Sequence, residues 1–374
     1  MQGTTVMLAA MSLDLGGAET HVVSLSRELK RRGAKVMVAS SGGRLVGELE
    51  KSGIPHHRVP LNSRAPWRIW AGAAAVRRII REEGVDLVHA HARIPAFVGE
   101  LVRAGTPMVT TYHGVYDASF PLRFFSRWGD RVIAVSEDVK AHLVRNLGVP
   151  DRLIRVIPNG IDTDLFSPEA DYDEVLKHFG VDDEGPRVVH LGRLSGPFAE
   201  APLALVRATP QLADKFPGLT VWIVGDGDRF EEVSGAAESA NGLIGRRVLI
   251  VPGMRVDAPA FFALATVAVG VARVAVEAMA CACPVIIAGE GGYRGILSPD
   301  RFRELSLANF TARGSGESVD PSALVRDADT LLRDEALRRR LGGAGREYVL
   351  KCMSIERMTD EIVEVYRQIL KRGA

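Results

Sequence analysis

Cysteine, excess charge and long apolar runs are all scarce in this sequence, and each scarcity removes a class of protein. Cys281, Cys283 and Cys352 are the only cysteines, too few for a disulfide scaffold. Two of them share one apolar run and read as buried thiols of a reducing compartment. A formal net charge of +1 over 374 residues leaves no global attraction for nucleic acid, and no nucleic-acid reading motif is present. No run approaches the roughly 20 uninterrupted apolar residues of a membrane span. Residues 1–10 lack a basic region followed by a long apolar one and pass directly into a glycine turn and an amphipathic pattern. They read as a first strand rather than a signal peptide, so the expected location is cytoplasmic. With 47% hydrophobic and 25% charged residues, disordered and collagen-like chains are also excluded.

What remains is an ordinary globular composition at a length above the roughly 250–300 residues where a single core stops growing, which predicts two domains. Residues 5–11 form an apolar run, followed by Gly16-Gly17-Ala18-Glu19 and a helical pattern through Val22, Val23, Leu25 and Leu29. Gly33 closes it and residues 35–40 read as the next strand. Strands are predicted again over 85–90, 108–112, 131–136 and 153–158, with helices over 97–102 and 137–147. A polar, acidic stretch near 167–186 interrupts this rhythm. Beyond it strands are predicted at 187–191, 219–224, 248–251, 267–271 and 284–288. Helices are expected at 202–212, 258–265, 275–280, 321–332, 335–348 and 354–370. Apolar strands alternating with helices imply parallel sheets covered on both faces. The expected division is 1–168 for the first domain, 169–186 for a linker and 187–350 for the second domain. A helix within 351–374 is expected to cross back to the first.

In such sheets ligands collect beyond the carboxyl ends of strands, which directs attention to the strand-to-helix loops. Gly16 and Gly17 leave backbone amides open to an anion at a helix start, though the same glycines suit a plain turn. Gly192-Arg193 follows a predicted strand, and its guanidinium could clasp a diphosphate or simply lie solvated. Gly225-Asp226-Gly227-Asp228 permits close backbone approach, or is a turn. Glu277 sits among Ala275, Val276, Ala278, Met279 and Ala280, where an ionised carboxylate needs a partner. That partner is either the paired hydroxyls of a ribose or Arg273, four residues earlier. His89, His91 and His113 lie at or past strand ends. No cysteine completes a tetrahedral set with them, so no metal is expected, and His113 suits a sugar contact. Asp162-Thr163-Asp164 reads as a turn or cap. Two stretches, 64–78 and 120–128, mix aromatic and basic residues in the manner of an interfacial helix or of a covered inter-helix surface.

Taken in order, a set of motifs is similar to one family. These are Gly16-Gly17-Ala18-Glu19, Tyr112-His113-Gly114, Val135-Ser136, Val156-Ile157-Pro158-Asn159-Gly160-Ile161-Asp162, Gly192-Arg193-Leu194, Ile223-Val224-Gly225-Asp226-Gly227, and Glu277-Ala278-Met279-Ala280 before Pro284-Val285-Ile286. Over nearly its whole length the chain resembles the retaining group 1 glycosyltransferases of GT-B fold, bacterial enzymes of lipopolysaccharide-core, capsule and mannosyl transfer. The resemblance implies an α/β architecture of two facing Rossmann-like domains with parallel sheets. It implies a UDP- or GDP-sugar donor and no tightly bound cofactor. The donor would lie mainly on the second domain, with Glu277 on its ribose, Arg193 and the Gly192 turn on its diphosphate, Gly225 beside it, and the base near Gly253 and Met254. Gly16 and Gly17 would approach the phosphate from the first domain, and His113 would lie by the sugar. The acceptor would be a glycan or a lipid-linked glycan in cell-envelope synthesis, reached by peripheral contact with the inner membrane.

The chain departs from the family twice. A lysine usually follows the Gly-Arg motif, where this chain has Ser195-Gly196-Pro197-Phe198-Ala199-Glu200, and Val269 stands where a first glutamate usually faces the transferred sugar. Arg273 is expected to take over part of the phosphate binding. His113, Arg193 and Glu277 are the expected catalytic set. The alternatives are a nucleotide-sugar epimerase of the same fold and a binding or scaffolding protein that has lost efficient transfer.

Overall fold

The apolar runs of the first half assemble into one seven-stranded parallel sheet because their side chains are wanted on both faces. In the computed structural model, which describes residues 1–14, 16–119, 122–182 and 184–371 and every side chain among them except that of Arg123, β1 (Thr5–Ala9) is buried throughout. It leads to α1 (Gly17–Arg31), β2 (Lys35–Ser40), α2 (Val46–Lys51), β3 (His56–Arg58), α3 (Pro66–Glu82), β4 (Leu87–Ala90), α4 (Arg93–Val102), β5 (Met108–Tyr112), β6 (Arg131–Ala134), α5 (Glu137–Leu147) and β7 (Ile154–Val156). The strand order is β3-β2-β1-β4-β5-β6-β7. Order therefore reverses between β1 and β4, the topological switch point at which open α/β sheets bind ligands.

The second half continues with α6 (Asp173–Phe179), β8 (Arg187–Leu191), α7 (Glu200–Lys215), β9 (Thr220–Val224), α8 (Phe230–Ile244), β10 (Leu249–Gly253), α9 (Ala258–Ala263), β11 (Val267–Gly270), α10 (Arg273–Ala280), β12 (Val285–Gly289), β13 (Gly292–Ile296), α11 (Phe302–Leu307), α12 (Pro321–Arg333) and α13 (Glu335–Cys352). Its sheet runs β10-β9-β8-β11-β12-β13, with a switch point between β8 and β11. Two parallel-sheet Rossmann-like domains result. Among the described residues the exception to parallel pairing is β13, which lies antiparallel on β12.

Contacts divide the chain into Met1–Gly160 with Ile355–Ala374, and Ile161–Ser354. This differs from the sequence expectation in where the first domain stops. Residues 161–168 belong to the second unit, where Ile161 and Phe166 are buried with Phe262 and Met279. Most of the expected linker is likewise built into that unit, since α6 carries Val175 and Leu176 into a cluster with Trp222 and Phe261. Residues 372–374, expected to share the terminal helix, lie outside the described residues.

The last helix, α14 (Ile355–Leu370), packs in the first unit because its apolar stripe matches α1. Met358, Ile362, Val365, Tyr366 and Ile369 are buried with Val22, Leu25 and Leu29, each apolar side chain contributing about 1.5–3 kcal/mol. Arg32 adds polar contacts to Asp360 at 2.5 Å and to the Glu356 carbonyl at 2.8 Å.

Candidate functional site

In the second unit, the loops leaving β8, β9 and β10 are laced into one platform. Gly192 N donates to Val224 O at 2.9 Å, Leu194 N to Asp226 O at 3.0 Å and Gly225 N to Gly253 O at 3.0 Å. This brings together Gly192, Arg193, Gly225 and Gly253, which the sequence scatters over some sixty positions. The approach is so close that only glycine fits at Gly225, where a Cβ would overlap the Gly192 carbonyl oxygen. Arg193 projects from this platform into solvent, and Met254, just past β10, is half-buried. Residues 195–200, where a second cation was expected, are occupied differently. Phe198 lies under the Arg193 guanidinium at 5.4 Å, and Arg229 ties the segment down by bonds to the Gly196 carbonyl and Glu200.

Across the switch point, α10 begins immediately after β11 and carries the Arg273–Glu277 pair. Arg273 Nε donates to Glu277 Oε1 at 2.7 Å, and the two side chains are only 10% and 7% exposed. Of the two partners the sequence left open, the arginine is in place. Burial pushes the Glu277 carboxyl above its usual range, and Arg273 opposes that shift. The pair leaves Arg273 Nη1 and Nη2 buried with no hydrogen-bond partner. A guanidinium with two buried, unsatisfied nitrogens is costly unless an anion completes it. The turn that aims α10 is itself strained. Ala272 holds φ 53 and ψ −129, a region that an L-residue with a Cβ disfavours.

Val269 is fully buried in β11, so the place expected for a sugar-facing carboxylate is apolar. Its carbonyl accepts from His190 Nδ1 at 3.0 Å, while His190 Nε2 is buried without a partner. Burial lowers the His190 pKa to about 4. His190 was not singled out in the sequence. Its place two residues before Gly192-Arg193, inside an otherwise apolar strand, was the available signal.

In the first unit, Gly16 is the extended N-cap of α1, and the Glu19 carboxylate folds back against it. One turn further, His21 is buried and bonds Asn159 Oδ1 through Nδ1 at 3.0 Å. His113 lies immediately past β5, with its ring 4.7 Å from that of His21. Gly16, Gly17 and His113 thus share the carboxyl edge of the first sheet. His21 went unnoticed in the sequence because it sits within a helical pattern that explains it as a core position. Asp162 accepts from the backbone of Asp164 at 3.2 Å and of Leu165 at 3.0 Å, which is the turn expected there.

The basic-aromatic stretches separate. On α3, Trp67 and Trp70 are each 73% exposed, beside exposed Arg68, Arg77, Arg78 and Arg81. In the second stretch, Phe120, Pro121 and the Arg123 side chain lie outside the described residues. Arg127 there is packed over the rings of Phe97 and Phe124 at 5.4 and 5.5 Å. No helix among the described residues is long and apolar enough to cross a membrane.

Comparison with known proteins places these features. The profile of Glycosyltransferase Family 4 matches residues 15–165, and that of Glycosyl transferases group 1 matches residues 185–334. A D-inositol 3-phosphate glycosyltransferase of Actinosynnema mirum is 30% identical, over 95% of this chain and 93% of that protein. Among solved structures, a glycosyltransferase from Rickettsia africae is similar with a TM-score of 0.78 at 22% identity, covering 99% of both chains. The Anabaena protein HepE, crystallised with UDP and glucose, is similar with a TM-score of 0.74 at 20% identity, covering 97% of this chain and 99% of that one. These structural likenesses concern the fold.

Proposed function

The chain belongs to the group 1 glycosyltransferases, a family of transferase enzymes, and from that premise we propose that it moves a hexosyl group, with retention, from a UDP- or GDP-sugar to an acceptor hydroxyl. The donor binds the second unit at the β8/β11 switch point. Glu277 accepts from the ribose hydroxyls, the base rests near Gly253 and Met254, and the diphosphate meets Arg193, Arg273 and the Gly192 and Gly225 backbone. The observation that carries this reading is the buried Arg273 guanidinium, held on one edge by Glu277 and unsatisfied at both terminal nitrogens. A diphosphate oxygen is the kind of acceptor it lacks.

In the reaction, the bond from the anomeric carbon to the phosphate oxygen breaks as the acceptor oxygen adds. Negative charge grows on the departing diphosphate, so fixed donors around it lower the barrier more than they stabilise the bound donor. The acceptor proton passes to the leaving phosphate oxygen, and no protein base is required. Incubation with UDP-, GDP- and ADP-sugars tests this: nucleoside diphosphate should be released in step with a glycosylated acceptor of unchanged anomeric configuration. Donor hydrolysis or transfer that is equally fast in Arg273→Ala would count against it.

A second reading has its own support. Val269 stands in place of a carboxylate and residues 195–200 carry no cation, which favours a protein that binds the nucleotide sugar without efficient transfer. Saturable donor binding with no product from any acceptor would select it.

The acceptor in this proposal is a lipid-linked glycan of the cell envelope, reached from the cytoplasmic face. Its support is α3, whose exposed residues 67, 70, 74, 77, 78 and 81 recur at helical spacing and combine two tryptophans with basic residues, as an anionic lipid surface requires.

A further inference from the structure

Three histidines of the first unit, His21, His91 and His113, form a constellation in which the family resemblance gives a part in transfer, the sugar contact, to His113 alone. His21 stands in the second turn of α1, His91 immediately follows β4, and His113 immediately follows β5. Because β4 lies between β1 and β5 in the sheet, the switch point draws all three to one spot. One ring nitrogen from each lies within 4.8 Å of the other two. His91 Nδ1 and His113 Nε2 are 3.3 Å apart. Two nitrogens bound tetrahedrally to one zinc at about 2.0–2.1 Å are separated by about 3.3–3.4 Å, so this edge already has the right length.

The surroundings favour ligation over a simple histidine cluster. His21 Nδ1 faces the Asn159 amide oxygen, which places the hydrogen on Nδ1 and the lone pair on Nε2, the outer hydrogen bond that orients a metal-binding imidazole. His91 is almost wholly buried, and its Nδ1 is the nitrogen that faces His113. His89, though its ring is 4.0 Å from that of His91, is committed elsewhere. Its nitrogens bond Tyr366 Oη at 2.6 Å and Thr111 Oγ1 at 2.7 Å.

We propose that His21, His91 and His113 bind one divalent transition-metal ion of the zinc class, leaving a fourth position for water or a ligand oxygen. An all-imidazole donor set selects zinc, cobalt or nickel over magnesium or calcium. Three neutral ligands leave the ion's double charge uncompensated, so the open position favours hydroxide, an anion or a polarised hydroxyl. The sequence argued against a metal because His89 and His91 have strand spacing and no cysteine completes a tetrahedral set with them and His113. The fold supplies His21 in place of His89.

The test uses the full chain, stripped with a chelator and titrated with cobalt(II). Tetrahedral ligand-field absorption should saturate at one equivalent and be displaced by zinc. It should vanish in His91→Ala and weaken at least tenfold in His113→Ala, whose half-exposed position spares the core, with circular dichroism confirming that both fold. No saturable absorption, or binding that survives both substitutions, would overturn the proposal. Because it concerns the first unit and reads metal directly, its failure would leave the donor-binding account untouched.

Discussion

Replacing Arg273 with methionine separates the two jobs assigned to that residue. Methionine keeps an apolar stem and removes the only charge that opposes the burial of Glu277. Breaking a buried ion pair costs about 3–5 kcal/mol. Against this, the substitution also removes two buried nitrogens with no partner, relieving about 1–3 kcal/mol. The net loss in the unliganded protein is therefore about 2 kcal/mol. It should depend on pH with a definite sign. Glu277 already has a folded pKa above its unfolded one, so its proton favours folding at low pH, and that contribution fades as pH rises through the folded value. Removing Arg273 raises the folded value further, and the deficit should be larger at pH 7.5 than at pH 5. Urea unfolding followed through Trp222, which is fully buried in the second unit, would measure this once Trp67, Trp70 and Trp128 are changed to Phe. Diphosphate binding provides the second readout. UDP or GDP at a hundred times its dissociation constant stabilises the wild type by about 2.7 kcal/mol. A tenfold weaker variant would gain about 1.4 kcal/mol less. A variant with unchanged stability at both pH values and the same nucleotide-induced gain would refute the assignment.

Ala272→Gly should stabilise the second unit by about 0.5–2 kcal/mol, because glycine relieves the strain at φ 53 and returns only part of that gain as unfolded-state entropy; loss of stability on urea titration would contradict this. His190, with its pKa lowered to about 4 from 6.5, should give stability that is full above pH 6.5 and lost by about 3 kcal/mol as pH falls to 4. In His190→Asn the acid limb reported by Trp222 should flatten, and an unchanged limb would exclude that group as its source. Trp67→Ser with Trp70→Ser should reduce sedimentation with vesicles containing anionic lipid at least tenfold while leaving the thermal midpoint in place; equal sedimentation would remove α3 from the lipid surface.

The alternation of apolar strands with helices was legible because parallel strands are buried on both faces and so read as continuous apolar runs. The elements that escaped notice are those without such runs. β3 is three polar residues at a sheet edge. α8 buries only Val233, Ala237 and Ala240, a stripe too weakly apolar to stand out among its serines, glycines and glutamates. The division near residue 160 was hidden because acidic, polar composition resembles a linker, whereas a few apolar side chains, Val175, Leu176 and Phe179, anchor α6. At the site, Glu277 and Arg273 could be paired from their four-residue spacing on a helix. What spacing could not reveal was that the pairing leaves two nitrogens of Arg273 unsatisfied, since that depends on every neighbour of the guanidinium. The histidine constellation was similarly hidden. His21, His91 and His113 are brought together by sheet order, which reverses sequence neighbourhood at the switch point.

Calorimetric titration of the best-binding nucleoside diphosphate and its 2′-deoxy counterpart, against wild type and Glu277→Gln, tests the donor site most directly. Either change alone should weaken binding about tenfold, near 1.4 kcal/mol, and the second change should add little once the first is made, because carboxylate and ribose hydroxyl act as one contact. Equal affinity of the ribose and deoxyribose forms for the wild type, or independent and fully additive losses, would contradict it.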